Sequence, residues 1–195
     1  METNEKKESD TITCTSFHES ILLVLWGWIM CLDYFRFYIC KKVMVSYEIR
    51  MALVSISTIL VIVGVLYSIF YLSKRLKKLK AQPGISLIFT WISALLFMGM
   101  IIVIQKNTLG HLVFELQHSI FMILTGFAIV ITGYLIKEKP VLWGGILFVA
   151  LGFVASYLKL VDQLLLESIA WMIGFVIPGH VLYQAASKVS KMLKF

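Results

Sequence analysis

MALVSISTILVIVGVLYSIFYL (residues 51–72) runs for 22 residues without a charged side chain and then breaks into SKRLKKLK (residues 73–80). The first stretch matches the roughly 20 apolar residues that a helix needs to cross about 30 Å of hydrocarbon at 1.5 Å per residue. The second is a basic flank of the kind that stays on the cytoplasmic side of a bilayer. In lipid every backbone polar group must be satisfied within the segment or in a closed barrel. A barrel would show segments of about 10 residues with alternating polarity, and none appear here.

The same pattern recurs on both sides of this stretch. Apolar runs cover Ser86–Gln105, Leu109–Ile136, Val141–Leu158 and Leu164–Ala186, and a weaker one, Ser20–Cys40, is interrupted by Asp33 and Arg36. The expected fold is therefore all-α, a polytopic transmembrane helix bundle of about six spans, or five if the first does not cross. Residues 1–18 are polar and aperiodic, which predicts a disordered or surface segment; residues 19–195 form a single transmembrane domain. Only Lys137–Pro140 separates two of the spans, so those two helices are expected to be antiparallel neighbours.

Composition agrees. Of the 195 residues, 59% are hydrophobic and 15% charged, against about 25% charged in an average soluble domain. A soluble core of this length cannot hide such an excess. The formal charge of +7 does not point to nucleic acid, because the basic residues sit between and beyond the apolar runs. Cys14, Cys31 and Cys40 follow no metal or redox spacing. Lys6 and Lys7 precede the run Ile21–Leu32, but acidic residues are mixed in and no small-residue cleavage site follows, so the first run reads as an uncleaved anchor.

Lysine and arginine set the orientation. Twelve fall on one side: Lys6, Lys7, Lys74, Arg75, Lys77, Lys78, Lys80, Lys137, Lys139, Lys188, Lys191 and Lys194. Five fall on the other, namely Lys41, Lys42, Arg50, Lys106 and Lys159, with Arg36 inside the first span. The positive-inside rule places the twelve, and with them the C-terminus, in the cytoplasm of a cell-membrane protein. Ser73–Lys80 and the amphipathic tail Ser187–Phe195 are expected to attract anionic lipid headgroups at about 1 kcal/mol per basic residue.

Ionisable residues inside lipid cost roughly 2.5–3.5 kcal/mol each at mid-helix, so they tend to face the protein interior and to have a partner or a task. The fourth span is the richest. At about 100° per residue, His111, Glu115, His118, Met122 and Thr125 fall on one stripe. Three readings follow: a structural polar cluster, a metal site or a proton relay. A metal site would use Glu115, His118 and Met122 with Glu167 of the sixth span, and the soft pair His118 and Met122 suits copper or a haem iron. A relay would run along His111, Glu115 and His118. His111 and His118 are about 10 Å apart along the axis and cannot share one ion.

Elsewhere, Asp33 and Arg36 are spaced to pair on one helix face. Pro178 removes the hydrogen bond to the Gly174 carbonyl and predicts a kink, with His180 just beyond it at the inner membrane boundary. Gly126 and Gly133 on one helix, and Gly145 and Gly152 followed by Ser156 on the next, predict a groove that lets helices approach closely. No phosphate-binding glycine loop, no G-x-S-x-G elbow and no sizeable soluble domain is present, which speaks against an enzyme and against cytoplasmic ATP chemistry. The expected function is a non-enzymatic subunit or sensor-like component that packs with other membrane chains. The alternatives are a redox or metal-binding membrane protein and a small proton-coupled transporter.

Overall fold

The computed structural model describes residues 2–43, 46–76 and 83–192. It is 92% helical, with no strand among the described residues. The helices are α1 (Glu2–Lys42), α2 (Tyr47–Leu76), α3 (Pro83–Leu109), α4 (Phe114–Leu135), α5 (Lys139–Ala155), α6 (Leu160–Trp171) and α7 (Ile177–Met192). A π turn, Met172–Val176, joins α6 to α7 without interruption. α1 begins within the polar segment for which no regular structure was expected, and its apolar part is Ser20–Lys42. Lys77, Lys78, Lys80 and Lys194 of the two basic stretches lie outside the described residues.

Five helices are long and apolar enough to cross a membrane: Ser20–Lys42, Tyr47–Tyr71, Leu87–Leu109, Phe114–Leu135 and Leu160–Lys188. The chain is thus a helical membrane bundle. The short member is α5 rather than the charged first span, since its 17 residues extend about 25 Å. The boundaries have local causes. Gly110, with φ of 72°, ends α3, so Leu109 closes that helix and α4 starts only at Phe114. Pro140 sits in the first turn of α5, where its missing N–H is not needed.

Two seams of close backbone approach hold the core together. α4 and α5 make the most extensive contact, and they meet glycine to glycine. A Cβ on Gly126 would stand 3.1 Å from the Gly145 carbonyl oxygen, and one on Gly145 3.0 Å from that of Gly126. The groove predicted from the spacing is therefore filled inside the chain. The second seam lies between α1 and the π turn with α7. A Cβ on Gly27 would come 2.9 Å from the Val176 nitrogen, and one on Gly179 the same distance from the Val24 nitrogen. Between the seams lies the apolar centre, with Met122, Ile129 and Phe148 fully buried and Trp171 and Phe175 nearly so.

The kink expected at Pro178 takes the form of the π turn. Without a proline N–H to bond, the backbone slips by one residue and Ile177 N–H reaches the carbonyl of Met172. His180 is exposed, and its Nδ1 lies 2.8 Å from the Val176 carbonyl oxygen. That bond is local to its own helix and leaves the Gly174 carbonyl alone.

α2 and α3 lie at the margins. α2 rests on α1, to which the Trp26 indole N–H ties it by donating to Ser68 Oγ at 2.9 Å; α3 rests on α4. Little of α3 is buried inside the fold, Ala94 and Gln105 being the exceptions, and almost none of the apolar window of α2 is. Neighbouring helices run antiparallel, so Lys137, Lys139 and Lys188 gather at one end of the bundle. Lys41, Lys42, Lys106 and Lys159 gather at the other, which we call the 110–113 end after the α3–α4 loop.

Candidate functional site

His118 enters from α4, one turn inside the 110–113 end, and Glu167 from α6, two turns inside it. They meet directly. His118 Nδ1 lies 2.8 Å from Glu167 Oε2, with the carboxylate side chain 3% exposed and the imidazole 23%. With the carboxyl ionised, the His118 Nδ1–H is the donor. α6 also carries Ser168, which turns toward α1 and donates from Oγ to the Cys31 carbonyl oxygen at 2.8 Å. α1 supplies Tyr34, whose ring stands edge-on to the imidazole with centroids 5.9 Å apart.

A second layer of polar contacts brackets the pair. Gln163, one turn before Glu167, is 1% exposed and donates from Nε2 to the carbonyl oxygens of Ala155 at 2.9 Å and Leu158 at 3.1 Å. Its Nε2 also stands 3.5 Å from Ser119 Oγ. One turn after Glu167, Trp171 packs edge-on against Phe148 with centroids 5.4 Å apart and lies tilted against Phe175 at 4.7 Å. Tyr34 and Trp171 are the remaining polar side chains that act on the carboxylate.

The proposed stripe on the fourth span does not hold together. His111 precedes α4, in the loop, and is exposed. Glu115 is on the helix but exposed as well. The reason is the length of α5. Gln163 bonds the Ala155 carbonyl and touches Ser119, so α5 ends level with Ser119. Glu115 stands one turn beyond that end and is exposed. His118 meets Glu167 across two helices, and His111 and Glu115 stand exposed apart from that contact.

Of the four donors considered for a metal, the structure brings two together, His118 and Glu167. Met122 is fully buried one turn deeper, and Glu115 is exposed. Among the described residues no group of three or more His, Cys, Asp and Glu side chains is placed to hold a metal ion. Cys31 and Cys40 are free thiols.

Asp33 and Arg36 pair as their spacing predicts, with Arg36 Nη2 2.7 Å and Nε 3.1 Å from the same oxygen, Asp33 Oδ1. Ser57 of α2 donates to that oxygen too, and the Arg36 guanidinium lies over the Phe37 ring at 3.9 Å. This cluster binds α2 to α1 and leaves the His118–Glu167 pair to itself.

No family model, curated protein or solved structure matches the chain. The site must be argued from its own chemistry. Tyr34 and Trp171 were not singled out from the sequence; Trp171 follows Glu167 by four residues and so shares its helix face, a usable signal, whereas nothing local marks Tyr34.

Proposed function

We propose that this chain is a non-enzymatic, sensor-like component of the cell membrane, with Lys137, Lys139 and the C-terminus in the cytoplasm. Its working element is the His118–Glu167 pair, which lies in the outer half of the bilayer and registers protonation. The unburied apolar faces of α2 and α3 are left for lipid and for other membrane chains. One observation carries the reading, a carboxylate buried in an apolar bundle with an imidazole as its close partner at 2.8 Å.

The physical argument rests on charge. Without an added proton the pair carries one negative charge in a water-poor site, which is costly. With one proton it becomes neutral overall, and the hydrogen bond from imidazole to carboxylate becomes one between opposite charges. The other groups facing the pair are Tyr34 and Cys31 from α1, with Asp33 next to them and already engaged by Arg36. The buried residues of α5 are Val141, Gly144, Gly145, Phe148, Gly152 and Ala155, none of them ionisable.

Proton uptake therefore tightens the link between α4 and α6. In mild detergent, the unfolding midpoint of the wild-type protein should fall as pH rises and the pair gives up its proton. Glu167→Gln, which is neutral throughout, should flatten that dependence while still folding. A wild-type profile that matches the Glu167→Gln profile would remove the pair from any sensing role.

A further inference from the structure

One face of α1 is pinned to α6 and the π turn. Gly27 lets the backbones close there, since a Cβ on it would come 2.9 Å from the Val176 nitrogen. One turn on, Ser168 Oγ donates to the Cys31 carbonyl oxygen at 2.8 Å, and Cys31 Sγ stands 3.4 Å from the same hydroxyl. Both residues are buried. α1 therefore has a fixed register against the helix that carries Glu167.

Tyr34 lies three residues beyond Cys31 on that face. α1 packs on α6, the π turn and α7, whereas His118 belongs to α4. The Tyr34 ring, itself packed against the apolar core, reaches across to the imidazole, with centroids 5.9 Å apart and planes at 78°. His118 needs such a contact. Its side chain is 23% exposed, and its bond to Glu167 holds a single ring atom, Nδ1. One bond leaves the plane of the ring free to turn about it. A neighbouring aromatic ring at a steep angle removes that freedom, because edge-to-face packing is lost as the plane turns. The orientation also selects the tautomer, since the hydrogen bond made by one ring nitrogen decides the state of the other. Held in this way, the neutral ring carries its proton on Nδ1, toward the carboxylate, and Nε2 is the atom that accepts the next one.

We propose that Tyr34 is a positioning residue for the His118–Glu167 pair, its ring fixing the imidazole plane so that Nδ1 stays on the carboxylate and Nε2 takes up the added proton. The inference rests on the protonation reading above and extends it to α1.

The test uses the full chain in mild detergent with isotope-labelled histidine. The His118 ring-nitrogen resonances are those lost in His118→Gln. They are read at a pH high enough to leave the ring neutral, where the Nδ1–H and Nε2–H forms have distinct shifts. The wild type and Tyr34→Phe, which keeps the ring, are expected to show the Nδ1–H form alone. Tyr34→Leu is expected to lose that single form and to show both tautomers. Tyr34→Met, a flexible apolar side chain, serves the same comparison if Tyr34→Leu does not fold. A single Nδ1–H form without the aromatic ring overturns the proposal. A mixture in Tyr34→Phe overturns it too, because the effect would then belong to the hydroxyl. Wild-type resonances of His118 that do not respond to pH would instead strike the protonation reading, while the tautomer comparison still decides the role of Tyr34.

Discussion

Lys137 has a φ of 59°, the sole positive value at a non-glycine position among the described residues. The cause is the turn that closes α4. The N–H of Glu138 donates to the Gly133 carbonyl oxygen at 2.9 Å and that of Lys137 to Tyr134 at 3.2 Å, the paired bonds that end a helix through a left-handed residue. Glycine is the usual occupant, and a Cβ there costs roughly 1–2 kcal/mol. Lys137→Gly should therefore stabilise the protein by about 1 kcal/mol, a rise of about 2–4 °C in Tm for a chain of this size. An unchanged or lower Tm would mean that the lysine side chain contributes something its backbone cost conceals. The same scale shows what a sequence can and cannot reveal about a site. His118 and Glu167 were each visible as ionisable groups in apolar runs. Glu115 looked equivalent to His118 because helical periodicity gives an angle but not the height at which the neighbouring helix stops.

Among the elements, the glycines of α4 and α5 act as a pair. A Cβ on Gly126 would come 2.6 Å from Val149 Cγ2 and 2.7 Å from the Val149 backbone nitrogen, and a backbone atom cannot rotate away. Gly126→Ala should cost about 1–3 kcal/mol through overpacking. Gly99 of α3 is the control, because a Cβ there meets nothing within 4 Å. Gly99→Ala should be neutral or stabilising by up to about 1 kcal/mol, the difference in helix propensity. Unfolding midpoints of the two variants should move in opposite directions; equal effects would show that the seam is looser than its geometry. This seam was legible, since two glycines seven apart on each of two adjacent helices announce a groove. The second seam was not. Gly27 faces Val176 only because the helix beyond Trp171 slips into a π turn, and Pro178 signals a disturbed helix without saying which way the backbone resolves it.

At the scale of the whole molecule, the depth assigned to His118 and Glu167 depends on how many times the chain crosses. α5 is short, yet it runs from the Lys137 turn to the level of Ser119, where Gln163 ties its last carbonyls. It therefore traverses the same slab as α4, and its 17 residues sit at the lower limit of about 17 for a spanning helix. Counted in this way there are six traverses. The loop at residues 110–113 and the chain beyond Lys188 then face opposite sides. In the orientation proposed above, the latter is inside. An accessibility label on a single cysteine at His111, in a background with Cys14, Cys31 and Cys40 replaced, should react from outside intact cells. The same label at Ser187 should react only after permeabilisation. Labelling of both positions from one side would leave α5 as a hairpin arm that does not cross. Labelling with the sides exchanged would move the pair to the cytoplasmic half, where it would meet a buffered interior and lose its claim to read the medium.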